Sequence, residues 1–246
     1  MKLTSVNNDL VKETAKLLKN KYRSESGLFL IEGEKGVEEA IDSGLDILRI
    51  FVQSGIKIDF DGEVIETNEA VLAKISDAKS APKIVAVVRQ PQSSLEKLKT
   101  ASKIILLEGI KDAGNLGTII RSAVAFGIEG IVLYGDTVDL FNPKTVRATV
   151  GNLWKLPIIV EKDFNNIKDI FGSWERIATL PKAENVIPLK NYTLSGKTLV
   201  MFGSEADGLS SELKEFATKN VTIEMSSSVE SLNLSVSAAI IMYKMV

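Results

Sequence analysis

The sequence predicts an α/β protein. We expect a mostly parallel sheet with helices on both faces in the carboxyl-terminal part, preceded by a smaller α/β domain. Apolar runs of strand length alternate with segments of helical periodicity along most of the chain. Hydrophobic residues make up 45% of the 246 residues and charged residues 25%, so one large core or two modest ones can be buried. The linker-like residues 90–94 follow an apolar strand and place a domain boundary near residues 90–102.

The first predicted domain, residues 1–95, begins with a helix and continues with short β-rich runs. Gly44 is expected to end the second helix, because glycine readily adopts the left-handed conformation found after helices. The predicted elements are a helix over residues 8–20, a strand over 28–32, a helix over 35–43, strands near 48–52 and 63–66, a helix near 68–76 and a strand over 83–88.

The second predicted domain, residues 96–246, alternates strands and helices more regularly. The predicted strands lie near residues 103–108, 130–134, 157–160, 176–180, 198–202 and 221–224. The predicted helices lie near residues 116–126, 143–149, 164–171, 210–218 and 233–245. This alternation is typical of a parallel sheet, in which ligands bind outside the carboxyl ends of the strands. The loops that follow the strands are therefore the candidate site.

The chain contains no cysteine and no histidine, which narrows the chemistry available to it. Disulfides, thiolate nucleophiles, thiolate zinc sites and imidazole bases are excluded, and we expect no metal. A reaction whose electrophile arrives already activated, such as a sulfonium methyl donor, suits this restriction. Lysines interrupt the first 30 residues, so we expect no secretory signal and a cytoplasmic protein.

The net charge is −2, but residues 1–24 carry six basic groups against Asp9 and Glu13. A basic helix of this kind can contact phosphate groups of RNA. A solvated amphipathic helix is the alternative, and the composition leaves both interpretations open.

The first candidate loop leads from a strand into a helix. Asn115 is a good helix N-cap, and Gly127 stands where the helix should end. Arg121 lies one turn beyond Gly117 and Thr118, and helical side chains lean toward the N-terminus, so its guanidinium should hang over the loop mouth. That position suits a phosphate or carboxylate, although an ordinary surface arginine is the alternative. The loop lacks G-x-G-x-x-G, which argues against a dinucleotide-binding fold.

The second candidate loop carries glycines at positions 203 and 208. Gly208 permits a tight turn, and Ser210 or Ser211 can cap the next helix. Glu205 stands at the carboxyl end of a strand, where ligand-facing residues collect. The alternative is an exposed glutamate in a two-glycine connection.

The third candidate loop is rich in hydroxyl groups and precedes the last helix. Ser231 and Asn233 are placed to cap that helix and to offer polar groups beside its N-terminus. Small residues at positions 235, 237, 238 and 239 would allow close approach of the backbone. A capped core helix without a ligand is the alternative.

The order and spacing of the three loops resemble the SpoU family of RNA 2′-O-ribose methyltransferases, within the SPOUT superfamily. The family motifs N-x-G-x-x-x-R, G-x-E-x-x-G-L and S-L-N-x-S match Asn115, Gly117 and Arg121; Gly203, Glu205, Gly208 and Leu209; and Ser231, Leu232, Asn233 and Ser235. Residues 142–151, which include Arg147, are similar to the family's N-P-x-x-x-R-x-[ST]-x-G segment. The resemblance covers residues 102–246. Residues 28–33 are similar to part of the ribosomal-protein-like substrate-binding domain that often precedes the catalytic domain.

The resemblance implies a homodimer with its active site at the subunit junction. It also implies a deep carboxyl-terminal trefoil knot that binds S-adenosylmethionine largely through backbone groups, although knots are rare exceptions to topology rules. The implied catalytic residues are Arg121, Asn115, Ser231, Asn233 and Glu205. The implied cofactor-binding residues are Gly203, Ser204, Glu205, Gly208, Ile223, Met225, Ser231, Leu232 and Asn233. The RNA-binding candidates are Lys12, Lys16, Lys19, Lys21, Arg23 and Arg147, with most RNA recognition expected in residues 1–90.

The resemblance also suggests how the site works. Because arginine stays protonated in proteins, we expect Arg121 to clamp a phosphate and polarise the ribose oxygen rather than act as a base. Asn115 and Ser231 would orient Arg121 or the ribose, Asn233 would hold the third loop, and Glu205 would pair with Arg121 or with a residue of a partner subunit. Structured 23S rRNA is the first expected substrate and tRNA the second, since proteins read RNA best in loops.

The sequence departs from the family pattern at three places. Glu224 precedes Met225 where proline is usual, residues 226–228 are serines where a glycine is common, and Ala113 stands where proline is frequent. A catalytically inactive factor of the same fold, acting in rRNA binding, assembly or resistance, remains an alternative. A Rossmann-type oxidoreductase is disfavoured, because the glycine fingerprint and its acidic residue about 20 positions later are absent.

Overall fold

The computed structural model describes residues 2–181, 185–193, 196–226, 228–229 and 231–246. The chain forms two compact units. The first comprises Met1–Gln92 and Asp139–Leu153, and the second comprises Ser93–Val138 and Trp154–Val246. None of the helices in the described ranges combines the length and apolar character that a membrane crossing requires.

Strands and helices alternate along the described residues. The strands are β1 (Lys2–Leu3), β2 (Leu28–Glu32), β3 (Ile47–Gln53), β4 (Val64–Thr67), β5 (Ile84–Arg89), β6 (Lys103–Glu108), β7 (Gly130–Tyr134), β8 (Ile158–Glu161), β9 (Glu175–Thr179), β10 (Ile187–Pro188), β11 (Thr198–Phe202) and β12 (Lys219–Thr222). The helices are α1 (Asp9–Lys16), α2 (Asn20–Ser26), α3 (Glu34–Asp42), α4 (Glu69–Lys74), α5 (Ala113–Ala125), α6 (Pro143–Thr149), α7 (Phe164–Phe171), α8 (Ser211–Phe216) and α9 (Leu234–Lys244). Short 3-10 helices span Leu95–Leu98 and Leu189–Asn191.

The first unit is built on a five-stranded mixed sheet in the order β1-β4-β3-β5-β2. β1, β4 and β3 run parallel, whereas β5 is antiparallel to both β3 and β2. Its core includes fully buried Phe51, Ile65 and Leu72. This confirms an α/β unit, and the two-residue strand β1 was not predicted because it is too short to show a pattern.

The helix predicted over residues 8–20 is wrong, because the chain forms two helices there. Lys19 is extended, with φ −105° and ψ 135°, and it is the N-cap of α2. The carbonyl oxygen of Leu17 accepts a hydrogen bond from Arg23 Nη1 at 2.7 Å. That side-chain donor occupies a carbonyl that would otherwise accept the next helical N–H, so α1 ends there.

Residues 139–153 belong to the first unit, whereas the predicted domain boundaries, 1–95 and 96–246, placed them in the second domain. Their helix α6 packs against β2, and the rings of Phe29 and Phe141 lie 4.8 Å apart. Asn142 caps α6 by accepting from the backbone N–H of Lys144. The chain otherwise divides after Gln92, near the predicted linker.

The second unit is built on a seven-stranded sheet in which the strands run parallel, in the order β10-β12-β9-β11-β6-β7-β8. This confirms the predicted parallel sheet. The central strands β6 and β11 are buried along most of their length, and Leu106, Val132 and Met201 belong to the same core. β10 was not predicted, since two residues cannot display a strand pattern.

Candidate active site

Three loops meet at one edge of the second sheet. β6 and β11 are paired in parallel register, with Phe202 opposite Leu107, and β12 runs parallel to β9, the other neighbour of β11. The carboxyl ends of these strands therefore lie at the same edge, where ligands bind in such sheets. The loops after them carry the three sequence motifs.

The first loop ends in helix α5, whose N-cap is Asp112 and not Asn115 as we predicted. Asp112 Oδ1 accepts from the backbone N–H of Asn115 at 2.7 Å. Asp112 is the N-cap because the helix begins earlier than predicted, at Ala113, which puts Asn115 inside the first turn. The Asn115 side chain is thereby free to face the other loops. Gly127, with φ 65°, follows the end of the helix as predicted.

The second loop is a tight turn between β11 and α8. A Cβ on Gly203 would lie 1.9 Å from the carbonyl carbon of Gly208, so only glycine fits there. Gly208 has φ 67°, a conformation that favours glycine, and its N–H donates to the Ser204 carbonyl at 3.0 Å. Ser210 caps α8 through the N–H of Leu213.

The third loop ends in helix α9, which Asn233 caps. Asn233 Oδ1 accepts from the backbone N–H of Ser235 at 2.9 Å and from its hydroxyl at 2.6 Å. Ser235 is buried. The predicted cap by Asn233 is confirmed, and this cap fixes which way its amide faces.

A chain of side-chain hydrogen bonds joins the three motif loops. Asn233 Nδ2 donates to Asn115 Oδ1 at 3.1 Å, and Asn115 Nδ2 donates to Glu205 Oε1 at 2.5 Å. The N–H of Ser235 can only donate, so it orients Asn233, which in turn orients Asn115. Because Asn115 Oδ1 already accepts from Asn233, the Nδ2 group of Asn115 donates to the carboxylate of Glu205.

Arg121 and Ser231 stand outside this chain of hydrogen bonds. Both side chains are exposed, and neither forms a hydrogen bond or ion pair with another described residue. Within this chain Glu205 accepts a hydrogen bond from Asn115, whereas we had expected it to pair with Arg121 or with a residue of a partner subunit. A guanidinium at the surface of α5 with no partner among the described residues is available to an anionic ligand.

The remaining residues predicted for the cofactor flank the third loop. Ile223 and Leu232 are half-buried and Met225 is 37% exposed, so apolar groups are accessible at the third loop. Exposed apolar side chains next to close-packed backbone fit an adenosine group. Glu224 pairs with Lys190 at 2.5 Å, and the hydroxyls of Ser226 and Ser228 lie 2.8 Å apart. Ser227, part of the predicted serine run, lies outside the described residues.

Over the ranges that the structure describes, no group of three or more acidic residues is arranged to hold a metal ion.

Tyr134 ends β7 at the same edge of the sheet. Burial, together with a hydrogen bond of 2.9 Å that its hydroxyl donates to Glu212, raises the pKa of Tyr134 to about 12. The hydroxyl is thus fixed as a donor and does not serve as a proton acceptor at neutral pH.

Three of the four lysines predicted to bind RNA have carboxylate partners. Their exposed ion pairs are Lys12 with Asp9 at 3.4 Å, Lys16 with Glu13 at 2.6 Å and Lys21 with Glu25 at 3.9 Å. Lys19 has no ion-pair partner among the described residues. Exposed pairs are weak and exchange readily, so these lysines stay available to phosphate groups.

The two arginines predicted to bind RNA form ion pairs with carboxylates of the first unit, and RNA binding by them stays a prediction. Arg23 is 2% exposed, and its Nε and Nη2 donate to Asp139 Oδ2 at 2.8 and 2.5 Å. Arg147 Nη1 donates to Glu32 at 2.8 Å and also contacts Asp77. Burial lowers the pKa of Arg147, but these two carboxylates raise it overall. The acidic partners Asp139 and Glu32 lie more than 100 positions from these arginines in the sequence, so no local pattern could have identified the pairs.

Comparison with known proteins identifies the family. The model described as the SpoU rRNA Methylase family matches residues 102–243, more than half of the chain. The chain belongs to the SpoU rRNA methylase family. A second model, the MRM3-like substrate binding domain, matches residues 8–86.

Relatives of this SpoU methylase align over nearly their full length. It is 31% identical to the 23S rRNA (guanosine(2553)-2′-O)-methyltransferase RlmP of Bacillus subtilis, over 98% of this chain and 97% of that protein. It is 26% identical to the 23S rRNA (uridine(2479)-2′-O)-methyltransferase of Streptomyces viridochromogenes, over 100% and 91% of the two chains. The AdoMet-bound rRNA methyltransferase from Sinorhizobium meliloti superposes with a TM-score of 0.89 at 29% identity, covering 99% and 96%. The similarity thus includes both units.

Proposed function

We propose that this SpoU methylase transfers a methyl group from S-adenosylmethionine to a ribose 2′-hydroxyl of structured RNA. 23S rRNA is the first choice of substrate and tRNA the second. The observation that carries the proposal is the hydrogen-bonded chain from Asn233 through Asn115 to Glu205, which ties the three family motifs to one edge of the sheet. The names of the Bacillus and Streptomyces relatives support 23S rRNA.

The cofactor would lie against the second and third loops. The backbone around Gly203, Ser204 and Gly208 would hold its polar groups, and Ile223, Met225 and Leu232 would cover its adenine. Bound there, it supplies an activated methyl group whose sulfur leaves as a neutral thioether. No general acid is then needed, which suits a chain without histidine or cysteine.

Arg121 is the group that would act on the RNA. Its guanidinium stays protonated, so it clamps the phosphate beside the target ribose and donates a hydrogen bond to the 2′-oxygen. The departing 2′-proton passes to a phosphate oxygen or to water. Asn115 and Asn233 fix the geometry of the loops around that ribose, and Ser231, which has no hydrogen-bond partner among the described residues, would offer its exposed hydroxyl to the RNA. Correct positioning alone can supply several kcal/mol of barrier reduction, up to about 7–11 kcal/mol.

A homodimer is part of the proposal, with the active site at the subunit junction. Helix α9 exposes Val236, Ile240 and Tyr243, which are 46%, 38% and 69% exposed and spaced at one helical face. The ring of Tyr243 contacts Phe126 at 5.8 Å, so the apolar surface extends onto the residue that follows α5. Contiguous exposed apolar surface of this kind marks protein interfaces.

The knotted carboxyl-terminal topology implied by the resemblance is retained in this proposal. β11 returns to the middle of the sheet between β9 and β6, a path compatible with a chain that re-enters its own loops. We also retain the assignment of RNA substrate binding to residues 1–95 and of catalysis to residues 96–246. The matches to residues 8–86 and 102–243 support that assignment.

The test is methyl transfer to a 23S rRNA transcript, measured with tritiated S-adenosylmethionine and followed by mapping of 2′-O-methyl positions. We expect incorporation at a single ribose. Arg121→Lys should lower the single-turnover rate about 10- to 100-fold, because the loss of a forked charged hydrogen bond costs about 1.5–3 kcal/mol. Calorimetric binding of the cofactor should not change in that variant. RNA binding without methyl incorporation would instead indicate an inactive rRNA-binding factor, and near-normal rates with lysine would refute the clamp.

A further inference from the structure

The first unit contains a cavity that the proposed methyl transfer does not use. It has a volume of about 320 Å³ and lies between helices α1 and α2 and strands β2, β3 and β5. Its floor is apolar, formed by Leu17, Leu28, Leu48 and Val87. This volume is at the lower end of the range for small-ligand pockets, so one planar ring system is a suitable occupant.

One wall of the cavity is aromatic. Tyr22 is half-buried, and Lys16 and Lys21 place their ammonium groups 5.6 and 5.9 Å from its ring centroid. An apolar floor beside an aromatic wall is the arrangement on which unpaired bases stack in RNA-binding proteins. Cation–π attraction from these two lysines helps to hold the Tyr22 ring in place at this rim.

The polar rim favours a neutral ligand over a phosphate. Lys16 pairs with Glu13 at 2.6 Å, and Arg49 pairs with Glu63 at 3.5 Å, so carboxylates balance both rim cations and the rim carries no net positive charge. The rim also carries Glu25, whose carboxylate would repel a phosphate. Carboxylates accept hydrogen bonds from the amino and imino groups of a base, and an arginine donates to its carbonyl oxygens.

We propose that this cavity holds one unpaired nucleobase of the RNA substrate. The exposed lysines Lys12 and Lys19, which lie on α1 and just before α2, would contact the flanking phosphates. The match to the substrate binding domain, residues 8–86, encloses the lining of the cavity except Val87. The inference rests on the proposed function, which supplies RNA as the substrate class. It adds that the first unit binds a base of a nucleotide other than the one that is methylated.

A variant that fills the cavity tests this inference. Leu48→Trp should raise the Kd of the full-length protein for a 23S rRNA transcript about 5- to 100-fold, the range for loss of one stacked base at about 1–3 kcal/mol. Its Kd for S-adenosylmethionine should not change. The matched control is Ile56→Trp, which fills another cavity of the first unit that is lined by no aromatic residue. Tyr22→Ala, which removes the wall without overpacking, should weaken RNA binding in the same way, and thermal melting shows that each variant is folded.

An abasic RNA distinguishes a base from a phosphate in the cavity. Photocrosslinking of a transcript that contains 4-thiouridine to the wild-type protein identifies the nucleotide next to Tyr22, and that nucleotide is then replaced by an abasic one with all phosphates kept. The wild type should bind the abasic RNA as weakly as Leu48→Trp binds the intact RNA, and the two losses should not add. Additive losses, or equal affinity of Leu48→Trp and wild type for the intact transcript, would overturn the inference. Methyl incorporation is measured separately from RNA binding. If the wild type transferred no methyl group, the proposed function would be refuted. Weaker RNA binding by Leu48→Trp would in that case still support a base in the cavity.

Discussion

The direction of the hydrogen bonds between Asn233, Asn115 and Glu205 makes a sharp prediction about a single atom. In Asn115→Asp, the Nδ2 group that donates to Glu205 becomes a carboxylate oxygen, while Asn233 can still donate to the other oxygen. Two carboxylates then face each other at the point where the first and second loops meet. The loops should separate, although the fold of the unit should persist.

The expected size of the effect follows from two contributions. Loss of a hydrogen bond to a charged group costs about 1.5–3 kcal/mol, and we take about 1 kcal/mol because this bond is exposed to water. Repulsion between two unit charges about 4 Å apart in water adds about 1 kcal/mol. Together they predict a loss of about 2 kcal/mol, or about 30-fold in kcat/KM for methyl transfer.

The assay is a double-mutant cycle with Glu205→Gln. In the double variant, the amide of residue 205 donates to the aspartate at 115, so the chain of hydrogen bonds is restored with one charge moved. We expect most of the activity lost in Asn115→Asp to return. The matched control is Asn165→Asp, an exposed change in the first turn of α7 that should leave activity unaltered. Wild-type activity in Asn115→Asp, or strictly additive losses in the double variant, would refute the reasoning.

Three further predictions concern the units and their assembly. Arg23→Met should lower the free energy of unfolding by about 3–5 kcal/mol, because it leaves the carboxylate of Asp139 largely buried without its partner; urea denaturation measures this, and a loss below 1 kcal/mol would contradict the burial argument. Burial raises the pKa of Glu129, but three hydrogen bonds from residues 102 and 103 lower it overall below its ordinary value, so the charged form adds stability at neutral pH that is lost as the pH falls through the lowered pKa. Glu129→Gln should therefore be less stable than the wild type at pH 7, and the difference should shrink in melts at increasingly acidic pH; a constant difference would refute it. Ile240→Glu should convert the proposed dimer to monomer in analytical ultracentrifugation, and Lys168→Glu, an exposed change on α7, should not; a variant at residue 240 that stays dimeric would show that this face is not the interface.

Most of the second sheet could be predicted from the sequence. The strands over residues 103–108, 130–134 and 198–202 and the helices over 143–149 and 164–171 have the predicted bounds. Each is an apolar or periodic run with turn-forming or helix-capping residues on both sides, so local patterns decide its position. The order of the strands could not be predicted in this way, because pairing between distant strands leaves no local pattern.

Local competition explains the errors within single elements. Asp112 and Asn115 are both good N-cap residues three positions apart, and the sequence does not show which one begins α5. In the region of residues 8–20, helical periodicity continues past the point where Arg23 captures the Leu17 carbonyl. At both places, a side-chain hydrogen bond to nearby backbone, which helical periodicity does not show, decides where the helix begins or ends.

The two arginines that we had assigned to RNA show the limit set by sequence distance. Arg23 and Arg147 find carboxylates 116 and 115 positions away, within the first unit. A basic side chain predicts phosphate binding when it is taken to be exposed. The sequence does not show whether the side chain is buried against a distant carboxylate. The pairing also explains why residues 139–153 pack with the first unit although they connect β7 to β8 of the second.

The candidate site was more predictable than these details, and for a physical reason. Its polar residues stand at the carboxyl ends of parallel strands, where the sheet gathers loops that are far apart in sequence. The amides of Asn115 and Asn233 are oriented by a backbone N–H, so their direction follows from the helix cap and needs no titratable group. Such a site owes the direction of its amides to the fold itself. It suits a reaction in which the methyl donor is already activated and the protein's main contribution is to position the ribose beside Arg121.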